Sequence, residues 1–163
     1  MRAVVLTCSL PLCLLAIAGA AAHAQSSAPM PPPSACPWLT QGSAARALGG
    51  EVSVAVNIAN TGEGWCSFSR KQSEASLRIE VSKTALTSCG ADSAKLRGVG
   101  NEAMRCRLAG SSEHDAQLIS GRVRDLHFTI AFNPHGQRNP DSSAGAQEDV
   151  LQLVAEQVAG NLF

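Results

Sequence analysis

The chain has no cluster of lysine and arginine: its 13 basic and 13 acidic residues cancel, and the bases mostly occur singly, as at Arg105 and Arg107. That balance removes the electrostatic reason to expect nucleic acid or an anionic membrane as partner. Local catalytic motifs are missing too. There is no Gly-x-Ser-x-Gly elbow, no Ser-x-x-Lys and no His-x-x-x-His spacing. Gly98-Val99-Gly100 lacks the third glycine and following helix of a nucleotide fingerprint. No pair of carboxylates has the setting a glycosidase needs. The four cysteines beyond residue 24, separated by 30, 23 and 17 residues, lack the Cys-x-x-Cys spacing of zinc sites. No metal and no cofactor is expected. Tyrosine is absent, and Trp38 and Trp65 are the only tryptophans.

What is present begins with an export leader. Arg2 supplies a positive start, Ala3 to Ala18 is mostly apolar, and Ala22-His23-Ala24 fits the small-x-small pattern of a cleavage site. Thr7, Ser9 and Pro11 interrupt the apolar run, which is too short to span a bilayer comfortably. Cys13 lies inside that run rather than at its end, which argues against lipid modification. Residues 1–24 are therefore read as a signal peptide, residues 25–35 as a Pro/Ser-rich linker, and 36–163 as a single disulfide-bonded domain. Removing 24 of 163 residues leaves 139, enough for one domain. The exported chain is expected in the periplasm or outside the cell, with no stable membrane anchor after cleavage. Cys36, Cys66, Cys89 and Cys106 then read as two disulfides, with three connectivities open.

Hydrophobic periodicity gives the order of elements. Thr40 can cap a short helix over about 41–48, with Leu39 and Ala44 placed for a hydrophobic staple and Gly49 for a left-handed stop. Val52, Val54, Val56 and Ile58 alternate with small or polar residues, the mark of a half-buried strand. Strands are also predicted from Trp65 to about Lys71 and around Leu77, Ile79 and Val81, forming an antiparallel meander. Residues 84–100 are less regular. A further strand places Met104, Cys106 and Leu108 on one face and Arg105 and Arg107 on the other.

A last hairpin turning at Arg124-Asp125 pairs Val123 with Leu126, Gly121 with Phe128 and Ile119 with Ile130. In that register Phe128 covers Gly121. Arg-Asp is a poor primed turn, however, so a longer loop or a shifted register is also open. After a polar loop, Ser142 or Ser143 can cap a C-terminal helix of about 144–159. Glu148 and Asp149 fall in or near its first turn, Val150, Val154 and Val158 form its stripe with Leu151 and Leu153, and Gly160 ends it.

The fold class follows: α+β, one antiparallel sheet of about six strands with the N-terminal and C-terminal helices on one face. Trp38 and Trp65 both neighbour a cysteine. Packing on a disulfide explains either, but strand alternation points Trp65 away from Cys66, onto the outer face. The two tryptophans are the candidate contacts for an apolar ligand or a protein partner. Arg78, Glu80, Arg105 and Arg107 read as a solvated sheet face. His114, His127 and His135 show no metal spacing and have ordinary surface explanations.

Cys36-Pro37-Trp38-Leu39-Thr40, Leu48-Gly49-Gly50, Trp65-Cys66-Ser67-Phe68 and Gly98-Val99-Gly100-Asn101-Glu102-Ala103 together resemble a family of small bacterial exported, often lipoprotein, domains of unknown function. Those carry Cys-x-Leu-Leu-Thr, Leu-Gly, Cys-x-Tyr/Phe and Gly-x-Gly-Asp-x-Ala. This chain departs in lacking a lipobox and in having Asn101 where aspartate is usual. The resemblance implies an α+β fold with a helix at each end and transfers no catalytic residue. With the pattern reading beside it, the expected disulfides are Cys36–Cys66 and Cys89–Cys106. The functional expectation is a non-catalytic binding or interaction domain of the cell envelope. The competing expectations are a small hydrolase with dispersed catalytic residues and an inhibitor or immunity-type protein that binds another exported protein.

Overall fold

The computed structural model describes residues 35–90, 92–108, 116–134 and 144–163. Helix α1 spans Gln41–Ala47. The Thr40 hydroxyl accepts from the Ser43 amide at 3.1 Å, satisfying one of the amides a helix start leaves open. Gly49 follows in the left-handed conformation, with φ 68°. Leu39 and Ala44, the expected staple, are both fully buried.

Seven strands follow: β1 (Val52–Ile58), β2 (Gly64–Arg70), β3 (Ser76–Ser82), β4 (Ala94–Lys95), β5 (Glu102–Arg107), β6 (Gln117–Val123) and β7 (Leu126–Asn133). They form one sheet in the order β1-β2-β3-β7-β6-β5-β4, with every neighbouring pair antiparallel. Helix α2 (Ala144–Asn161) closes the chain. The α+β architecture is as read from the sequence, with one strand more than expected. The extra strand is the two-residue β4, too short to leave a periodic signal.

One face of the sheet carries the core. Phe68, Leu77, Ile79, Val81, Ile119, Val123, Phe128, Ile130 and Phe132 are all at most 2% exposed. They occupy facing positions across β2, β3, β7 and β6, and both helices pack into the same cluster. Helix α2 contributes Leu151, Val154, Ala155, Val158 and Ala159. Leu153, assigned to its stripe, is instead 64% exposed. The helix begins at Ala144 as the sequence reading has it, but its C-terminal end does not fall where expected. Its first turn holds no acidic residue, and the helix runs through Gly160 to Asn161. The Asn161 side chain donates to the Trp38 carbonyl at 2.9 Å, tying α2 to the chain entering α1. Ser142, Ser143, His114 and His135 lie outside the described residues.

Both disulfides form as expected, Cys36–Cys66 and Cys89–Cys106. They lie on opposite faces of the sheet. Cys66 registers with Ile79 on the core face, whereas Cys106 registers with Leu118 on the other. The segment after β3 reaches β4 at the far edge by crossing that second face. There the Cys89 amide donates to the Ser120 hydroxyl at 3.2 Å. Met104 and Cys106 therefore face this crossing segment, and Ala103, Arg105 and Arg107 take the core side of β5. Arg105 and Arg107 thus do not share a face with Arg78 and Glu80, contrary to the sequence reading. Alternation pairs residues correctly but does not say which side of an edge strand is covered.

The β6–β7 hairpin has the register read from the sequence, with a two-residue turn at Arg124-Asp125. Arg124 takes φ 54°, the only non-glycine described residue with positive φ. That conformation costs about 1–2 kcal/mol and is supported from the neighbouring loop. The Arg124 amide donates to Asn101 Oδ1 at 2.6 Å, the Asn101 amide donates to the Arg122 carbonyl at 2.8 Å, and Glu102 pairs with Arg122 at 2.8 Å. Gly100 sits so close to this hairpin that a β-carbon would stand 2.6 Å from the Arg122 carbonyl. The Gly98–Ala103 motif is thus a clamp on the turn.

Candidate binding face

The outer face of the sheet is built by the residues that alternate with the core. Its central row runs Asn57, Trp65, Glu80, Thr129, Ser120 and Met104 across β1, β2, β3, β7, β6 and β5. The next row runs Ala55, Ser67, Arg78, Ala131, Leu118 and Cys106. Ser120, Met104, Leu118 and Cys106 lie under the crossing segment. On the rest of the two rows Trp65, Arg78 and Glu80 are the large side chains among Ala55, Asn57, Ser67, Thr129 and Ala131.

The Arg78 guanidinium lies over the Trp65 ring, 4.5 Å from its centroid. The two are diagonal neighbours, Trp65 opposite Glu80 and Arg78 opposite Ser67, a spacing that long side chains bridge. Such a stack is worth about 0.5–1 kcal/mol at an exposed site. Arg78 is exposed and Trp65 half-buried. Among the described residues Arg78 pairs with no carboxylate, so its donors face solvent from an ordered position. The sequence reading found Trp65 on this face but missed the stack, because nothing in sequence order joins two residues that meet diagonally across a hairpin.

Trp38 has a different fate. It is 4% exposed within the core cluster, beside the helix pair it helps to hold, and is not available to a ligand at the surface. Cys36, Cys66, Cys89 and Cys106 are all consumed in disulfides.

Two shallow concavities accompany the face and the helices. One, of about 540 Å³, lies on the outer face beside the second disulfide, lined by Thr87, Ser88, Asp92, Cys106, Arg107 and Leu118. It opens two strands away from Arg78 on the same face. The other, of about 260 Å³, runs between α1 and α2, with Arg46, Val150, Leu153 and Gln157 among its walls.

At one end of the outer face, Ser82, His127, Arg122 and Glu102 form a further row. His127 is half-buried, and among the described residues it makes no hydrogen bond to a serine or carboxylate. Ser82 is engaged elsewhere: its hydroxyl donates to Glu63 Oε2 at 3.1 Å, and the Lys83 amide donates to the same oxygen at 2.9 Å. Those two donors, the Lys83 amide first, hold the Glu63 carboxyl below the usual range. The Arg122 guanidinium does the same for Glu102. These are turn and strand-end contacts, with no nucleophile–base pairing among them. No polar residue among those described is buried as a whole, although Gln117 Oε1 on the core side is shielded without a hydrogen-bond partner. None of the described residues form a cluster suited to a metal ion. No described helix is long and apolar enough to cross a membrane. No family model, curated protein or solved structure matches this chain.

Proposed function

We propose that the protein is an exported binding domain of the bacterial cell envelope that engages its partner through the outer sheet face around Trp65 and Arg78. The observation that carries this reading is the Trp65–Arg78 stack: an aromatic surface and an exposed guanidinium, paired with no carboxylate among the described residues, held together on the outer face. Aromatic and arginine side chains contribute most of the energy in protein recognition sites, and a rigid strand holds them at little further entropic cost. Two disulfides are the chemistry of an oxidising compartment, which supports export by the leader at residues 1–24. The apolar ring and the cationic group together suit a partner offering an apolar patch beside a carboxylate or similar acceptor.

The test is affinity capture from a native envelope fraction with the exported chain, run beside a Trp65→Ala/Arg78→Ala variant. Both substitutions lie on an exposed face away from the core, so the fold survives them. Material retained by the wild type and lost by the variant supports the face as the site. Equal retention by both, or none by either under mild conditions, refutes it.

A further inference from the structure

The two edges of the sheet are finished very differently. At one side β4 is only two residues long and ends in Lys95, the short and charged kind of edge that resists pairing with another chain. At the other, β1 runs for seven residues, Val-Ser-Val-Ala-Val-Asn-Ile, with no charge, proline or glycine.

Its backbone register shows which groups are open. The Lys71 amide bonds the Glu51 carbonyl, and the Ala59 amide bonds the Glu63 carbonyl. In an antiparallel pair such bonding residues recur at every second position. Residues 51, 53, 55, 57 and 59 therefore turn their backbone groups toward β2, and Val52, Val54, Val56 and Ile58 turn theirs outward. The Gln41 side chain caps the Val52 carbonyl at 2.8 Å. Nothing among the described residues meets the amides and carbonyls of Val54, Val56 and Ile58. The side chains of these same three residues are only partly covered on the core face.

We infer that β1 pairs edge to edge with β1 of a second copy of this chain, about a two-fold axis at Val56. Antiparallel pairing centred there sets Val56 opposite Val56, and Val54 opposite Ile58, on the two copies. Every outward amide and carbonyl of the three residues then finds a partner. The half-covered Val54, Val56 and Ile58 meet their counterparts as one apolar stripe on the core side. Ala55 meets Asn57 on the outer side. No charge opposes another anywhere along the strand, and the contact is isologous, so it closes at a dimer. The linker at 25–35 is a poor alternative occupant, because Pro29, Pro31, Pro32 and Pro33 carry no amide to donate. The dimer would merge two outer faces into one sheet and set the two Trp65 residues about 16 Å apart across it.

The experiment is sedimentation equilibrium from micromolar to near-millimolar concentration, on protein expressed with its own leader and purified with both disulfides formed. The wild type should pass from monomer to dimer. Val56→Pro removes an outward amide and leaves the β1–β2 bonds intact. Ala55→Lys/Asn57→Lys places like charges opposite one another only in the dimer. Each should raise the dissociation constant at least tenfold while circular dichroism and melting behaviour hold. A wild type that stays monomeric throughout overturns the inference. So does a dimer that the lysine pair leaves unmoved, or dimerisation that appears only after residues 25–34 are deleted.

Discussion

Replacing Gly121 with alanine tests the packing of the β6–β7 hairpin with a single methyl group. Gly121 lies opposite Phe128, and a β-carbon there would stand 2.7 Å from Phe128 Cε1 and 2.9 Å from the Glu102 carbonyl oxygen. Carbon atoms at rest sit about 3.5 Å or more apart. The ring cannot swing into solvent, because Phe128 is fully buried between the sheet and the helices. In an open strand interior, glycine to alanine stabilises by roughly 0.5–1 kcal/mol, since glycine loses more freedom on folding. Here the collision reverses the sign. Overpacking of this kind costs about 1–3 kcal/mol, and for a domain of this size about 2 kcal/mol lowers Tm by roughly 6–10 °C. Urea denaturation of wild type, Gly121→Ala, Phe128→Leu and the double variant completes a cycle. The double variant should lose less than the sum of the singles, by about 1–2 kcal/mol, because leucine leaves room for the methyl. A neutral or stabilising Gly121→Ala, or strict additivity, would refute the reasoning.

The two disulfides should differ in worth. Closing about 31 and 18 residues, they contribute roughly 3–4 kcal/mol each through chain entropy. Cys66 is also fully buried, whereas Cys89 and Cys106 are half-exposed. Cys36→Ala/Cys66→Ala should therefore cost more than Cys89→Ala/Cys106→Ala in urea titrations, and the reverse order would contradict the placement of the bridges. Glu102 gives a pH signature. Its carboxyl is held below the ordinary 4.5 by Arg122, so folding favours the ionised form. The stabilisation is complete above pH 4.5 and fades as the pH falls through the lower folded value. The Tm gap between wild type and Glu102→Gln should be present at neutral pH and close in strong acid. A gap that is constant or widens toward acid would count against the pair.

Much of this architecture could be read from residue order because the local signals agree with one another. Thr40, Gly49 and the Leu39–Ala44 pair mark α1 at both ends. Alternation marks β1, β3 and the final hairpin, where Phe128 needs Gly121 opposite it. The hairpin turn was harder to read, because Arg124 adopts its positive φ only with help from Asn101, 23 residues earlier. Such long-range support leaves no local trace. Residues 84–100 were opaque for a related reason. Their course is set by a bond to Ser120 and a disulfide to Cys106, not by any period of their own. The same crossing reversed the faces of β5. As for the candidate face, alternation places Trp65 on its outer side. Trp38 lies in the core, as packing beside its neighbouring disulfide requires and a surface contact does not, with its carbonyl bonded by Asn161 of α2.

The Cys36–Cys66 bridge also decides how the domain bears a pull. A pull applied to the chain ahead of Cys36 does not travel through α1 and β1. It passes through the sulfurs straight to Cys66 in β2. The intervening turn of helix and edge strand form a slack loop, sheltered from any load that spares the covalent bond. What resists is the row of hydrogen bonds between β2 and β3. An edge strand with open hydrogen-bonding groups is thus kept in register even when the chain that carries it is being drawn away.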